Sequence, residues 1–131
     1  MGLDIIWLKC EDSNFEMDFP NLFFDLFTDQ FYSMLGFSSR SQSEDPFSVT
    51  NGLISSCKPD VFNHIRGTSG SSAGDSGGGC FCRYTGALMA INIGCDSISI
   101  NNDTTLQEVA SKTSPKAHLV PLNVLFALRK N

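Results

Sequence analysis

Turn residues cut this chain into short apolar runs, and that spacing restricts it to strands of a few residues each, closed by one helix. Asp4-Ile5-Ile6-Trp7-Leu8-Lys9-Cys10 is the first run, an apolar stretch behind an acid. Residues 11–21 read as a connector containing Pro20, and 22–37 concentrate aromatics, the second part, 31–37, forming a strand with Gly36 near its end. A polar loop over 38–46 leads to a strand over 47–55, with Gly52 where a bulge is expected. Residues 61–66 alternate apolar and polar, 80–84 and 87–93 form a hairpin around Thr85-Gly86, and 118–121 is a last short strand. Between them, 96–105 is polar with Ile98 and Ile100 alternating. Leu122, Val124, Leu125 and Leu128 precede a Lys/Arg end and predict a closing helix over 122–130. Short strands between turn signals, with one terminal helix, predict an all-β fold, a small β-barrel.

With 131 residues the chain is long enough to bury about two-thirds of its unfolded surface. Its formal net charge of -5 weighs against nucleic acid or an anionic membrane as the main partner, because both call for a basic patch. No apolar run approaches the ~18 residues of a membrane span. Residues 1–10 are too short, and too interrupted by Asp4 and Lys9, for a secretory signal. Met1-Gly2 lacks the Ser or Thr of a myristoylation start, with Ile6 in its place, and Asn102-Asp103-Thr104 is a glycosylation sequon expected to be a plain surface loop.

The five cysteines, Cys10, Cys57, Cys80, Cys82 and Cys95, are odd in number, so at least one is unpaired in a monomer. Cys80 and Cys82 lie on one face of a strand and Cys95 follows, but the Cys-x-x-Cys spacing that favours zinc is lacking. Buried free thiols in a reducing, cytoplasmic setting, with no metal, are the expectation.

Gly74-Asp75-Ser76-Gly77-Gly78-Gly79 carries the chemistry. Glycines allow a sharp turn that sets two amide N–H groups beside one hydroxyl, which supplies acyl transfer with a nucleophile and a site for the oxyanion. The Ser/Gly-rich stretch at 67–73 supports a flexible linker equally well on composition alone. A serine also needs a base within about 3 Å, directly or through one water. The chain has two histidines: His64, twelve residues before Ser76, and His118, ahead of the closing helix. Both are expected to be structural or surface histidines.

At these residues the chain resembles the chymotrypsin/trypsin-like serine proteases. Residues Gly74-Asp75-Ser76-Gly77-Gly78 are similar to the family's nucleophile motif, and Ala87-Leu88-Met89-Ala90-Ile91-Asn92-Ile93-Gly94 to the strand that borders the substrate cleft. Leu35-Gly36-Phe37 and Val49-Thr50-Asn51-Gly52-Leu53-Ile54-Ser55 resemble early strands of the second barrel in compact, trypsin-2-type members. Asp4-Ile5-Ile6-Trp7-Leu8-Lys9 resembles the family's Asp-Ile-Ala-Leu-Leu-Lys segment. The resemblance implies a Greek-key barrel over 28–131, the second of a two-barrel fold, with 1–27 as a remnant of the first barrel and the connector. It implies Ser76 as nucleophile, Asp4 as the residue that orients the imidazole, and the amides of Gly74 and Ser76 as the oxyanion hole. Gly70, Ile93 and Gly94 would border the substrate cleft. It implies no cofactor, a peptide or protein substrate, and a first-barrel segment from a longer chain as partner.

Departures from the pattern shape the expectation. Only three residues precede Asp4, so the family's histidine and nearly all of the first barrel are expected to be missing, and the isolated chain inactive. Gly79 replaces a usual proline, and Ser72 stands where digestive members carry a disulfide cysteine. Gly70 replaces trypsin's acidic pocket residue, which removes support for Arg or Lys selectivity. Asp75 needs a donor other than the freshly cleaved N-terminus it meets in trypsin proper. Two alternatives remain open: a non-catalytic peptide- or protein-binding module, and a Cys-rich metal-binding fold. With the first barrel missing, the aromatics of 15–27 are expected to be exposed and to favour association.

Overall fold

The computed structural model describes residues 5–8, 11, 18–37, 47–71, 74–95 and 116–128. Six strands and one helix follow in chain order: β1 (Phe31–Phe37), β2 (Phe47–Ser56), β3 (Ile65–Gly67), β4 (Gly79–Cys82), β5 (Leu88–Cys95), β6 (Ala117–Pro121) and α1 (Leu122–Leu128). All neighbouring strands are antiparallel, and the sheet closes on itself in the order β1-β2-β3-β6-β5-β4. Closure leaves no edge strand, which is how so small a sheet protects its backbone polar groups. The expected all-β barrel with a short C-terminal helix is therefore the observed fold.

Period-two alternation decides what faces inward. On β1 the side chains of Tyr32 and Met34 are buried while Phe31 and Phe37 face out. Ile54, Ile65, Cys80, Cys82, Met89 and Leu119 complete the barrel interior. Each large aliphatic among them contributes roughly 1.5–3 kcal/mol by leaving water. Helix α1 starts directly after Pro121 and closes one side of the barrel with Leu122 and Leu125, three positions apart, packed with Val120, Ile91 and Ile93. Cys80 and Cys82 are buried free thiols as expected, and burial pushes the Cys80 thiol up to about 12. Among the described residues Cys80, Cys82 and Cys95 do not gather into a metal-binding group.

Three expectations need correcting. Residues 5–8 form no strand: Ile5 packs on the helix cluster, but Ile6 and Leu8 stay 82% and 88% exposed. The alternating run at 61–66 contributes a strand only from Ile65. Before it the Asp60 carboxylate accepts the amides of Phe62 (2.8 Å) and His64 (3.0 Å), and Asn63 adopts φ 63°, so a local turn outcompetes the strand. The bulge in β2 lies at Ser55, between the pairs Ile54–Gly67 and Ser56–Arg66, and not at Gly52. Gly52 and Gly67 are glycines for another reason. A Cβ at either would run into the ring and hydroxyl of Tyr32, which fills the barrel between them.

Tyr32 is fully buried, yet its hydroxyl is satisfied. It pairs with Ser69 Oγ at 2.6 Å and accepts the Ser69 amide at 3.1 Å. Burial raises the Tyr32 hydroxyl above its ordinary value, with the Ser69 contacts opposing that shift. Tyr32→Phe is expected to keep the packing and leave the buried Ser69 groups without this partner. A urea titration should show a loss of about 1–3 kcal/mol; an unchanged midpoint would mean the Ser69 contacts add nothing.

An apolar surface runs outside the barrel, where Ile6, Phe19, Leu22 and Phe126 border a cavity of about 460 Å³. Phe19 is 77% exposed, and Phe24 and Phe27 are exposed as well, in line with the expected patch. No helix among the described residues is long and apolar enough to cross a membrane. The expected roles of Asp4, Cys10 and Ser72, the loop at 38–46, the alternation and sequon within 96–105, and the basic end of the helix lie outside the described residues.

Candidate active site

The loop from Gly74 to Gly79 joins the Ser/Gly stretch to β4, and its shape follows from its glycines. Gly74 (φ 95°) and Gly77 (φ 91°) adopt the left-handed region, so Asp75 turns inward and Ser76 outward. Asp75 is 4% exposed, whereas Ser76 is solvent-exposed. Gly78 passes so close to β1 that an added Cβ would overlap the Leu35 carbonyl oxygen.

Strand β5 fixes the loop from below. The Gly77 amide donates to the Asn92 carbonyl at 2.7 Å, and the Asn92 amide donates to the Gly78 carbonyl at 2.9 Å. The fully buried Asn92 side chain adds a clamp, its Nδ2 donating to the Asp75 carbonyl (3.1 Å) and to Ser71 Oγ (2.9 Å) while its Oδ1 accepts the Gly94 amide (3.2 Å). Asp75 finds a donor in Ser48 Oγ at 3.1 Å, on β2. Gly78 donates to the Asp75 carbonyl at 3.1 Å, and Phe37 to the Gly74 carbonyl at 3.3 Å. Among the described residues, the amide N–H groups of Gly74 and Ser76 make no hydrogen bond.

Ser76 Oγ donates to the Ile93 carbonyl at 3.3 Å. The structure thus brings Ser76 and Ile93 together, with Gly94 (φ 150°) next along β5. Gly70 is exposed with open space over its Cα, and no hydrogen bond ties it to Ser76. Neither histidine hydrogen-bonds to Ser76. His64 and His118 instead meet each other, Nδ1 to Nδ1 at 3.3 Å, across the β3–β6 seam. Burial, reinforced by His118 and Arg66 and opposed by Asp60, holds His64 below the ordinary imidazole range.

Several participants were not foreseen in the sequence. A cavity of about 380 Å³ beside the loop is lined by Leu35, Phe37, Phe47 and Phe81 as well as Ser76 and Gly78. Asn92 is another, and it has a signal: a lone amide inside the apolar run 87–93 must find buried partners. No protein-family model matches the chain, and no curated protein matches it significantly.

Proposed function

We propose that this chain carries the nucleophile barrel of a trypsin-like serine endopeptidase and that Ser76 forms the acyl-enzyme. The supporting observation is an exposed hydroxyl on a clamped loop, flanked by two amides, Gly74 and Ser76, whose N–H groups no described residue occupies. In this reading Ser76 Oγ attacks the scissile carbonyl and gives its proton to a base. The two amides hold the oxyanion, the leaving amine takes the proton, and water then hydrolyses the ester. Asp4 orients the base, and Gly70, Ile93 and Gly94 border the peptide. The base itself must be brought to the site, because both histidines of the chain are engaged with each other. A partner segment docked on the apolar surface around Ile6 and Phe19 would supply it.

A second reading, a non-catalytic peptide-binding module, is favoured by one contact: the Ser76 hydroxyl faces the Ile93 carbonyl and not a base. Fluorophosphonate labelling of the purified chain, with Ser76→Ala as control, separates the readings. Slow labelling that disappears in the variant is expected, since a site without its full triad keeps only about 10³–10⁴-fold assistance over water. Labelling identical in both proteins, or none after prolonged exposure, would remove Ser76 as nucleophile and favour the binding module. Rapid labelling would show that a base is already in place.

A further inference from the structure

The two histidines of the chain, 54 positions apart, meet across the β3–β6 seam, and a carboxylate meets them there. We propose that Asp60, His64 and His118 form a divalent metal site that takes zinc. This inference does not rest on the peptidase reading.

Distance is the first support. Two nitrogens bound to one zinc at about 2.0–2.1 Å with a tetrahedral angle stand about 3.3–3.4 Å apart. His64 Nδ1 and His118 Nδ1 are 3.3 Å apart, long for a hydrogen bond between ring nitrogens. One ligand atom from each of Asp60, His64 and His118 lies within 4.8 Å of the others, and all three residues are half-buried. Such a site is sheltered, but a water can still take the fourth position.

Chemistry is the second support. Two imidazoles and a carboxylate are ligands for zinc and its first-row neighbours, not for calcium or magnesium. An imidazole binds such an ion through the lone pair of its unprotonated ring nitrogen. Binding through both Nδ1 atoms needs the tautomer with the proton on Nε2 in each ring.

Placement of the carboxylate is the third. Asp60 Oδ1 is used by the amides of Phe62 and His64, and Oδ2 meets Arg66 Nη2 at 2.8 Å. These contacts aim the carboxylate and leave a lone pair on Oδ2 to be shared with the metal. The Arg66 charge opposes a cation, but the Asp60 carboxylate offsets it at contact distance. Bound metal would staple the turn before β3 to β6 and stabilise the barrel at the seam where Arg66 pairs with His118.

Zinc sulfate titrated into the full chain, followed by calorimetry and by thermal unfolding, tests the site. One zinc per chain and a rise of several degrees in the unfolding midpoint are expected. His64→Gln and His118→Gln should each lose both effects. Free thiols also bind zinc, so cobalt(II) is the second probe: visible bands of a tetrahedral site without a thiolate charge-transfer band are expected. If either variant fails to fold, the wild-type chain still reports. Zinc should shift the Nδ1 resonances of both histidines in a nitrogen-15 imidazole spectrum. No zinc uptake, uptake that persists in both variants, a thiolate band, or unmoved Nδ1 resonances would each overturn the proposal.

Discussion

Gly78→Ala is expected to lower the unfolding free energy by about 3 kcal/mol or more, far above an ordinary glycine replacement. The new methyl would overlap the Leu35 carbonyl oxygen, and both groups belong to backbone that the barrel holds in place. Leu35 sits in the middle of β1, paired with Val49. Gly78 is pinned by Asn92 on one side and by the Asp75 carbonyl on the other. Nothing at this contact is the free end of a side chain, so relief requires moving a strand or the loop. Gly77→Ala is the comparison: its φ of 91° disfavours a side chain, but a Cβ there meets nothing within 4 Å. That variant should lose about 1–2 kcal/mol. Thermal unfolding of the pair decides the matter, at roughly 4 °C per kcal/mol for a domain of this size. Equal midpoints for the two variants would show that the loop yields freely at Gly78.

The barrel could be read from the sequence because its strands carry their own punctuation. The sequence predicts β1 over the observed residues, and Gly86, at φ 73°, turns the hairpin expected around Thr85-Gly86. The pattern misleads where a contact distant in sequence, or a side chain acting on its own backbone, overrides it. Gly52 reads as a bulge until Tyr32, on the neighbouring strand, is seen to occupy the space above it. Residues 61–64 alternate like a strand, but Asp60 claims their amides first. At the candidate site the same division holds. The glycine spacing points to Ser76, which the loop leaves exposed. It says nothing of Ser48, which comes from 27 positions away to meet Asp75. Nor does it reveal that His64 and His118 face each other and not Ser76, because strand order β3-β6-β5 places them together only after the barrel closes.

Asn92→Asp, an isosteric change, is expected to lose about 3–5 kcal/mol at neutral pH. The amide nitrogen of Asn92 feeds two acceptors, the Asp75 carbonyl and Ser71 Oγ, from a fully buried position. Replacing it by oxygen turns the contact with the carbonyl into repulsion and places a charge where burial disfavours it. The introduced carboxyl would therefore have a folded-state pKa above its unfolded value of about 3.9. The sign follows from linkage: the ionisation penalty is absent below about pH 3.9, grows as pH rises above that value, and levels off once pH passes the folded pKa. Below that range the protonated side chain restores one donor. Asn92→Ala removes the donors without adding a charge and should lose about 1–3 kcal/mol with no such slope. Urea titrations of both variants at pH 4 and pH 7 are the measurement, with the gap between them widening towards pH 7. A constant gap would mean that the introduced carboxyl reaches water, and that the side chain at this position does not hold the loop from inside. The same clamp orients Ser76, since Asn92 binds the loop through the residues on either side of that hydroxyl. Fluorophosphonate labelling at Ser76 should accordingly fall in both variants even where the barrel remains folded.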